Sequence, residues 1–129
     1  MTKIDYESLD TDHLRLAVVG LGYVGLPLAV QLAKYFRTVG FDINQKRVSE
    51  LRRGFDATNE ISADILNDIP NIKFTSKVDD LIGTDIFIVS VPTPVDQNKQ
   101  PDLGPLRSAS NLVGSILATG NIVVYESTV

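Results

Sequence analysis

Short apolar runs alternate along the chain with segments whose apolar residues recur every three or four positions. The runs predict strands of a parallel sheet that is covered on both faces, because such strands are apolar throughout and do not alternate. They are 14–20, 38–42, 72–75, 85–91 and 121–129. The segments between them predict helices on both faces of that sheet. The pattern therefore indicates an α/β protein with a doubly wound parallel sheet of five strands.

Helical periodicity is clearest after the first strand and before the last. The first predicted helix spans 23–36, where the periodic apolar residues are Val24, Leu28, Leu32 and Tyr35. Pro27 lies in its first turns, where a missing N–H is tolerated best. A later helix ends near Gly120, and its apolar face is Leu106, Ala109, Leu112, Val113, Ile116 and Leu117.

A glycine-rich motif joins the first predicted strand to the first predicted helix. Gly20, Gly22 and Gly25 spell G-x-G-x-x-G, although glycine weakens both strands and helices. In nucleotide-binding α/β domains the first glycine permits a tight turn, and the second lets the backbone touch a pyrophosphate at the helix N-terminus. The third allows close helix–strand packing. The motif predicts a dinucleotide site, in preference to glycines that only tighten the packing.

Asp42 ends the second predicted strand, 22 residues after Gly20, close to the spacing of a ribose-binding carboxylate. A carboxylate there accepts hydrogen bonds from the ribose hydroxyls of NAD and repels the 2′-phosphate of NADP, so NAD is the predicted cofactor. Lys46 and Arg47 follow one turn into the next helix and could relax this discrimination. We expect Arg47 to lie along the adenosine or to pair with Asp42. The alternative role for Asp42 is a turn former that caps the next helix.

The second face of the predicted crevice comes from the loop after the fourth strand. With strand order 3-2-1-4-5, a ligand binds beyond the carboxyl ends of the first and fourth strands. The two prolines of "VPTP" (91–94) hold Thr93 in one pose. Its hydroxyl can face the cofactor, or the prolines simply stiffen the loop. The fifth strand ends in Glu126, Ser127 and Thr128, at the same edge.

Composition narrows the possible functions. The chain has 129 residues, no cysteine, one histidine and a net charge of −4. The acidic balance argues against nucleic acid, and the short apolar stretches argue against a membrane span. Without cysteine there is no disulfide, thiolate metal site or cysteine nucleophile. We predict no catalytic residue and no metal site, since His13 lies in a polar lead-in, 1–13. That lead-in is unlike a signal peptide, so a cytoplasmic location is expected.

Taken together, five segments resemble the NAD-binding domain of the UDP-glucose/GDP-mannose dehydrogenase family. They are "GLGYVGLPLA", "GFDINQKRV", "VPTP", "QPDLGPL" and "VVYESTV". The last is similar to the branch of UDP-N-acetylhexosamine (GlcNAc or GalNAc) 6-dehydrogenases of bacterial surface-polysaccharide biosynthesis. The resemblance covers 14–129 and implies a Rossmann-type doubly wound sheet whose five strands end before the sixth strand of that family.

The resemblance also implies roles for individual residues. It implies backbone contacts to NAD from Tyr23 and Val24, and ribose contacts from Asp42. The other residues that it places near the cofactor are Arg47, Thr93 and Thr128.

The reaction implied by the resemblance is oxidation of the C6 alcohol of a UDP-sugar to the uronic acid with two NAD, by a full-length homodimer. The catalytic cysteine, the central helix and the sugar-binding domain of the family have no counterpart in these residues, so the chain alone is expected to be inactive. A stand-alone dinucleotide-binding or sensing module is one alternative. A 3-hydroxyacid or 6-phosphogluconate type dehydrogenase domain is another, against which "VPTP" and "YESTV" argue.

Overall fold

Five parallel strands form one sheet in the computed structural model, which describes residues 13–126. The strands are β1 (Arg15–Val19), β2 (Arg37–Phe41), β3 (Ile72–Thr75), β4 (Ile86–Val89) and β5 (Ile122–Tyr125). Their order across the sheet is β3-β2-β1-β4-β5, and every neighbouring pair is parallel. The predicted fold class and strand order are confirmed. The order reverses between β1 and β4, so a crevice is expected at their carboxyl ends.

Four α-helices and one 3-10 turn connect the strands within the described residues. They are α1 (Gly25–Leu32), α2 (Gln45–Arg52), α3 (Ala63–Asn67), the 3-10 turn Val78–Leu81 and α4 (Gly104–Gly114). Helix α2 is capped by Asn44, whose side chain accepts a hydrogen bond from the Arg47 N–H. Such a cap satisfies a backbone donor that has no partner inside the helix. No helix between residues 13 and 126 is long and apolar enough to cross a membrane.

Helix α1 is shorter than predicted and turns a different face to the sheet. Its buried residues are Gly25, Leu26, Ala29 and Val30. The predicted apolar positions Val24 and Tyr35 are instead exposed. The helix ends at Leu32, and the Tyr35 N–H bonds to the Leu32 carbonyl in a tighter three-residue turn. Two small residues, Gly25 and Ala29, share this buried face with Leu26 and Val30, a feature that apolar spacing alone did not predict.

Two apolar clusters cover the two faces of the sheet. Phe41 and Phe87 belong to the cluster that packs under α4, whereas Val18 and Phe74 belong to the cluster under α1 and α2. Val18 and its neighbour Val19 lie in different clusters, because successive side chains of a strand point to opposite faces. Burial on both faces explains why β1 is apolar throughout.

Strand β5 pairs only with β4 and is the most exposed strand of the described sheet. It was predicted as 121–129; the structure ends it at Tyr125, and residues 127–129 lie outside the described part. Val124 and Tyr125 are exposed. The Glu126 N–H continues the ladder by donating to the Val89 carbonyl.

Candidate dinucleotide-binding site

A cavity of about 630 Å³ lies at the carboxyl ends of β1, β2 and β4. It is lined by the glycine-rich turn, the end of β2, the first turn of α2, the loop after β4 and one side of α4. Each of the five elements contributes a residue to the lining, in the same order Gly22, Asp42, Arg47, Pro92 and Ala109. Its volume is in the range of small-molecule and cofactor sites, and it lies where the strand order reverses.

The three glycines of the motif differ in what surrounds them. Gly20 has φ +103°, and a Cβ there would lie 3.0 Å from the backbone of Ser90 and Val91. A Cβ on Gly25 would overlap the Gly20 carbonyl oxygen, so this glycine sets the close approach of α1 to β1. Both positions are explained by the fold itself.

Gly22 has no such explanation within the described residues. A Cβ placed there would meet no atom within 4 Å, yet Gly22 lines the cavity. Helix α1 starts three residues later, without a side-chain cap and without an acidic residue in its first turn. Open backbone surface next to an uncapped helix N-terminus suits an anionic group such as a pyrophosphate.

Both oxygens of the Asp42 carboxylate accept backbone hydrogen bonds. Oδ2 accepts from the Leu21 N–H and Oδ1 from the Asn44 N–H, each at 2.9 Å. Asp42 therefore forms the turn into α2, while the helix cap itself is Asn44 and not Asp42. A carboxylate has about four lone-pair positions, so this role leaves acceptor capacity for hydroxyl groups in the cavity.

Arg47 pairs with Asp56, so the predicted pairing with Asp42 is wrong. Its Nη1 lies 2.7 Å from Asp56 Oδ1, and its Nε donates to the Leu21 carbonyl at 2.8 Å. The Arg47 side chain is only 10% exposed and lines the cavity. The predicted position beside the adenosine stays a prediction.

Asp56 was not predicted from the sequence. Its side chain is fully buried and accepts five hydrogen bonds, from Arg47, from the N–H and hydroxyl of Thr58, and from the N–H groups of Glu60 and Ile61. Burial by itself would raise the pKa of the Asp56 carboxyl. The hydrogen bonds outweigh it and hold that pKa well below its ordinary value. The only signal in the sequence is an aspartate two residues before a threonine, which is typical of a turn.

Ser90 follows β4 and connects it to the glycine-rich turn by a hydrogen bond. Its buried Oγ donates to the Gly20 carbonyl at 2.9 Å, next to the position that a Gly25 side chain would take. The hydroxyl is therefore used in the packing of the turn.

The structure brings the other predicted site residues together only in part. Tyr23 and Val24 lie between Gly22 and α1, and these residues are 69% and 57% exposed. Val91 and Pro92 line the cavity, whereas Thr93 is half-buried in the same loop and is not among the described lining residues. Thr128 lies outside the described residues. The roles of these residues stay predictions.

The fold and the cavity together define a class of protein. A parallel sheet of order 3-2-1-4-5, a glycine-rich turn before α1 and a carboxylate after β2 are the features of a Rossmann-type dinucleotide-binding domain. Residues 14–129 match the NAD-binding domain of the UDP-glucose/GDP-mannose dehydrogenase family. The chain belongs to this family, which confirms the resemblance found in the sequence.

Individual relatives support the same conclusion. The chain is 55% identical over 116 residues to a UDP-N-acetyl-D-glucosamine 6-dehydrogenase of Pseudomonas aeruginosa, a match that covers 90% of this chain and 28% of that protein. It is 48% identical to the enzyme of the same name from Salmonella typhi, covering 92% of this chain and 28% of that one. Among solved structures, a UDP-D-ManNAc dehydrogenase from Pyrococcus horikoshii superimposes with a TM-score of 0.83 at 34% identity, covering 90% and 29% of the two chains. The chain thus spans under a third of the length of these relatives.

Proposed function

We propose that the chain is the NAD-binding part of a dehydrogenase that oxidises the C6 alcohol of a UDP-N-acetylhexosamine, with UDP-N-acetylglucosamine as the first candidate. The substrate proposal is supported by 55% and 48% identity to two proteins named UDP-N-acetyl-D-glucosamine 6-dehydrogenase. The proposal for the cofactor's position is carried by Gly22, because this residue lines the cavity beside an uncapped helix N-terminus and a Cβ there would meet no atom within 4 Å.

The described residues fit NAD in three places. The glycine-rich turn and the N-terminus of α1 would hold the pyrophosphate, and the spare acceptor capacity of Asp42 would receive ribose hydroxyls. The third place is Arg47, which lines the same cavity and is proposed to lie along the adenosine. When bound, NAD supplies the acceptor for the hydride that leaves C6 of the sugar.

Oxidation of an alcohol to an acid removes four electrons and therefore consumes two NAD. We propose that the uronic acid product serves surface-polysaccharide synthesis, and that the full-length enzyme is a homodimer with a catalytic cysteine. In this proposal the cysteine and most of the sugar site belong to parts of the enzyme other than these 129 residues, because the sequence has no cysteine.

Asp42 is expected to make the chain prefer NAD over NADP by at least about tenfold, because its carboxylate would face the added phosphate. Titration calorimetry with both dinucleotides measures this ratio. In Asp42→Asn the ratio is expected to fall. Asp96→Asn is a matched control, since Asp96 also accepts two backbone N–H bonds but does not line the cavity. Equal or tighter binding of NADP by the unaltered chain would contradict the assignment.

The chain alone is expected to oxidise no UDP-sugar. The reaction needs an activated nucleophile and a base, and Ser90, the buried hydroxyl at the turn, already donates to the Gly20 carbonyl. Absorbance at 340 nm should stay at background with UDP-N-acetylglucosamine, UDP-N-acetylgalactosamine and UDP-glucose, in a preparation shown to bind NAD. Turnover that follows the purified chain and disappears in Gly22→Val would show this expectation to be wrong.

A further inference from the structure

We infer that Asp56 is a positioning residue for the cofactor, which acts on the dinucleotide site through Arg47 by holding its guanidinium against the glycine-rich turn. The inference rests on the proposed function, because it concerns how tightly NAD is bound. Asp56 itself is not among the residues that line the cavity.

Both oxygens of Asp56 bond to its own segment, and only Oδ1 also bonds to Arg47. Oδ2 accepts from the N–H groups of Glu60 and Ile61 at 2.8 and 2.9 Å, which fixes the carboxylate within its own segment, 56–61. Oδ1 accepts from Thr58 and from Arg47 Nη1. A carboxylate held by several donors on its own segment offers Arg47 a partner of fixed position, and charge-assisted hydrogen bonds of this kind are the strong ones.

Arg47 links Asp56 to the glycine-rich turn through hydrogen bonds. Its Nε donates to the carbonyl of Leu21, and the N–H of the same residue donates to Asp42 Oδ2. Leu21 is therefore held on one side by Arg47 and on the other by Asp42, directly before Gly22. A continuous set of hydrogen bonds runs from the buried Asp56 to the backbone at which the pyrophosphate is proposed to bind.

One nitrogen of the Arg47 guanidinium takes no part in these hydrogen bonds. Its Nη2 is buried, and no described residue accepts a hydrogen bond from it. A buried donor without a partner is unfavourable, and it contributes no hydrogen bond that would hold the guanidinium. The position of the guanidinium therefore depends on Nη1 and Nε, and Asp56 is the partner of Nη1. Asp56 thus fixes the group that holds the carbonyl of Leu21 in the glycine-rich turn.

The alternative is that Asp56 only stabilises its own segment. A double-mutant cycle on NAD affinity distinguishes this structural role from the positioning of Arg47. Asp56→Asn is expected to weaken NAD binding about tenfold when Arg47 is present, and by less than about twofold in an Arg47→Met background. Titration calorimetry gives the affinities, and denaturant unfolding gives the stability of each variant in parallel.

Asp80→Asn is the matched control for lost stability. Asp80 also accepts from a threonine hydroxyl and pairs with a basic side chain, and the pKa of its carboxyl is likewise lowered, first by the Thr75 hydrogen bond and then by Lys73. It does not line the cavity. We expect Asp80→Asn to reduce stability and leave NAD affinity unchanged.

Three results would overturn the inference. They are unchanged NAD affinity in Asp56→Asn, an equal loss with and without Arg47, and a loss in Asp80→Asn as large as that in Asp56→Asn. If Asp56→Asn does not fold, Thr58→Val replaces it in the cycle, since it removes one hydroxyl from Oδ1 and keeps the carboxylate. Absence of NAD binding by the unaltered chain would instead contradict the proposed function, which distinguishes the two failures.

Discussion

Replacing Gly22 by valine is expected to lower the affinity of the chain for NAD by at least about a hundredfold, or about 2.7 kcal/mol, and to leave the fold unchanged. The reason is that the position has room for a side chain only while no ligand is present. A Cβ on Gly22 meets nothing within 4 Å of protein, and the residue lines the cavity where the pyrophosphate is proposed to lie. The two methyl groups of valine would fill that space.

Gly114→Val is the matched control for Gly22→Val. A Cβ on Gly114 would also meet no atom within 4 Å, but this glycine is the last residue of α4 and does not line the cavity. Circular dichroism should show both variants folded, and calorimetry should show NAD affinity lost only in Gly22→Val. Retained NAD affinity in a folded Gly22→Val variant would place the pyrophosphate elsewhere.

Strand positions and strand order could be predicted from the sequence because the physical signal was strong there. Strands β1 and β4 are covered on both faces, and burial on both faces requires an apolar residue at nearly every position. The structure ends β5 earlier than the sequence predicts, at Tyr125, in a strand that pairs with one neighbour only and exposes Val124 and Tyr125. The face of α1 was predicted wrongly because two of its four buried residues, Gly25 and Ala29, are small and give little hydrophobic signal.

The candidate site was predictable where it depends on the backbone and not where it depends on long-range pairing. The spacing of the three glycines and of Asp42 can be read along the chain, because each belongs to the same βαβ unit. The pairing of Arg47 with Asp56 depends on how the segment after α2 folds back, and no periodicity encodes that path. A buried carboxylate in a polar, irregular segment looks the same in sequence as a surface one.

Gly25→Ala is expected to destabilise the chain by about 3 kcal/mol, or to prevent folding, although alanine normally favours a helix over glycine. The cause is a collision with backbone. A Cβ on Gly25 would overlap the Gly20 carbonyl oxygen and would lie 2.5 Å from Ser90 Oγ. A flexible side chain could move away, but the Gly20 carbonyl belongs to a turn held by the Phe41 carbonyl and by Ser90. Relief therefore requires α1 to move away from β1, which would open the packing around Leu26 and Ala29.

Denaturant unfolding of three variants tests this explanation. Gly114→Ala, at a helical position where a Cβ has open space, is expected to leave stability unchanged or slightly raised. Combining Gly25→Ala with Ser90→Ala should recover little, since that change removes the hydroxyl and leaves the Gly20 carbonyl in place. A Gly25→Ala variant within about 0.5 kcal/mol of the unaltered chain would contradict the view that this glycine sets the distance between α1 and β1. Full recovery by Ser90→Ala would assign the collision to the serine hydroxyl and not to the backbone of the turn.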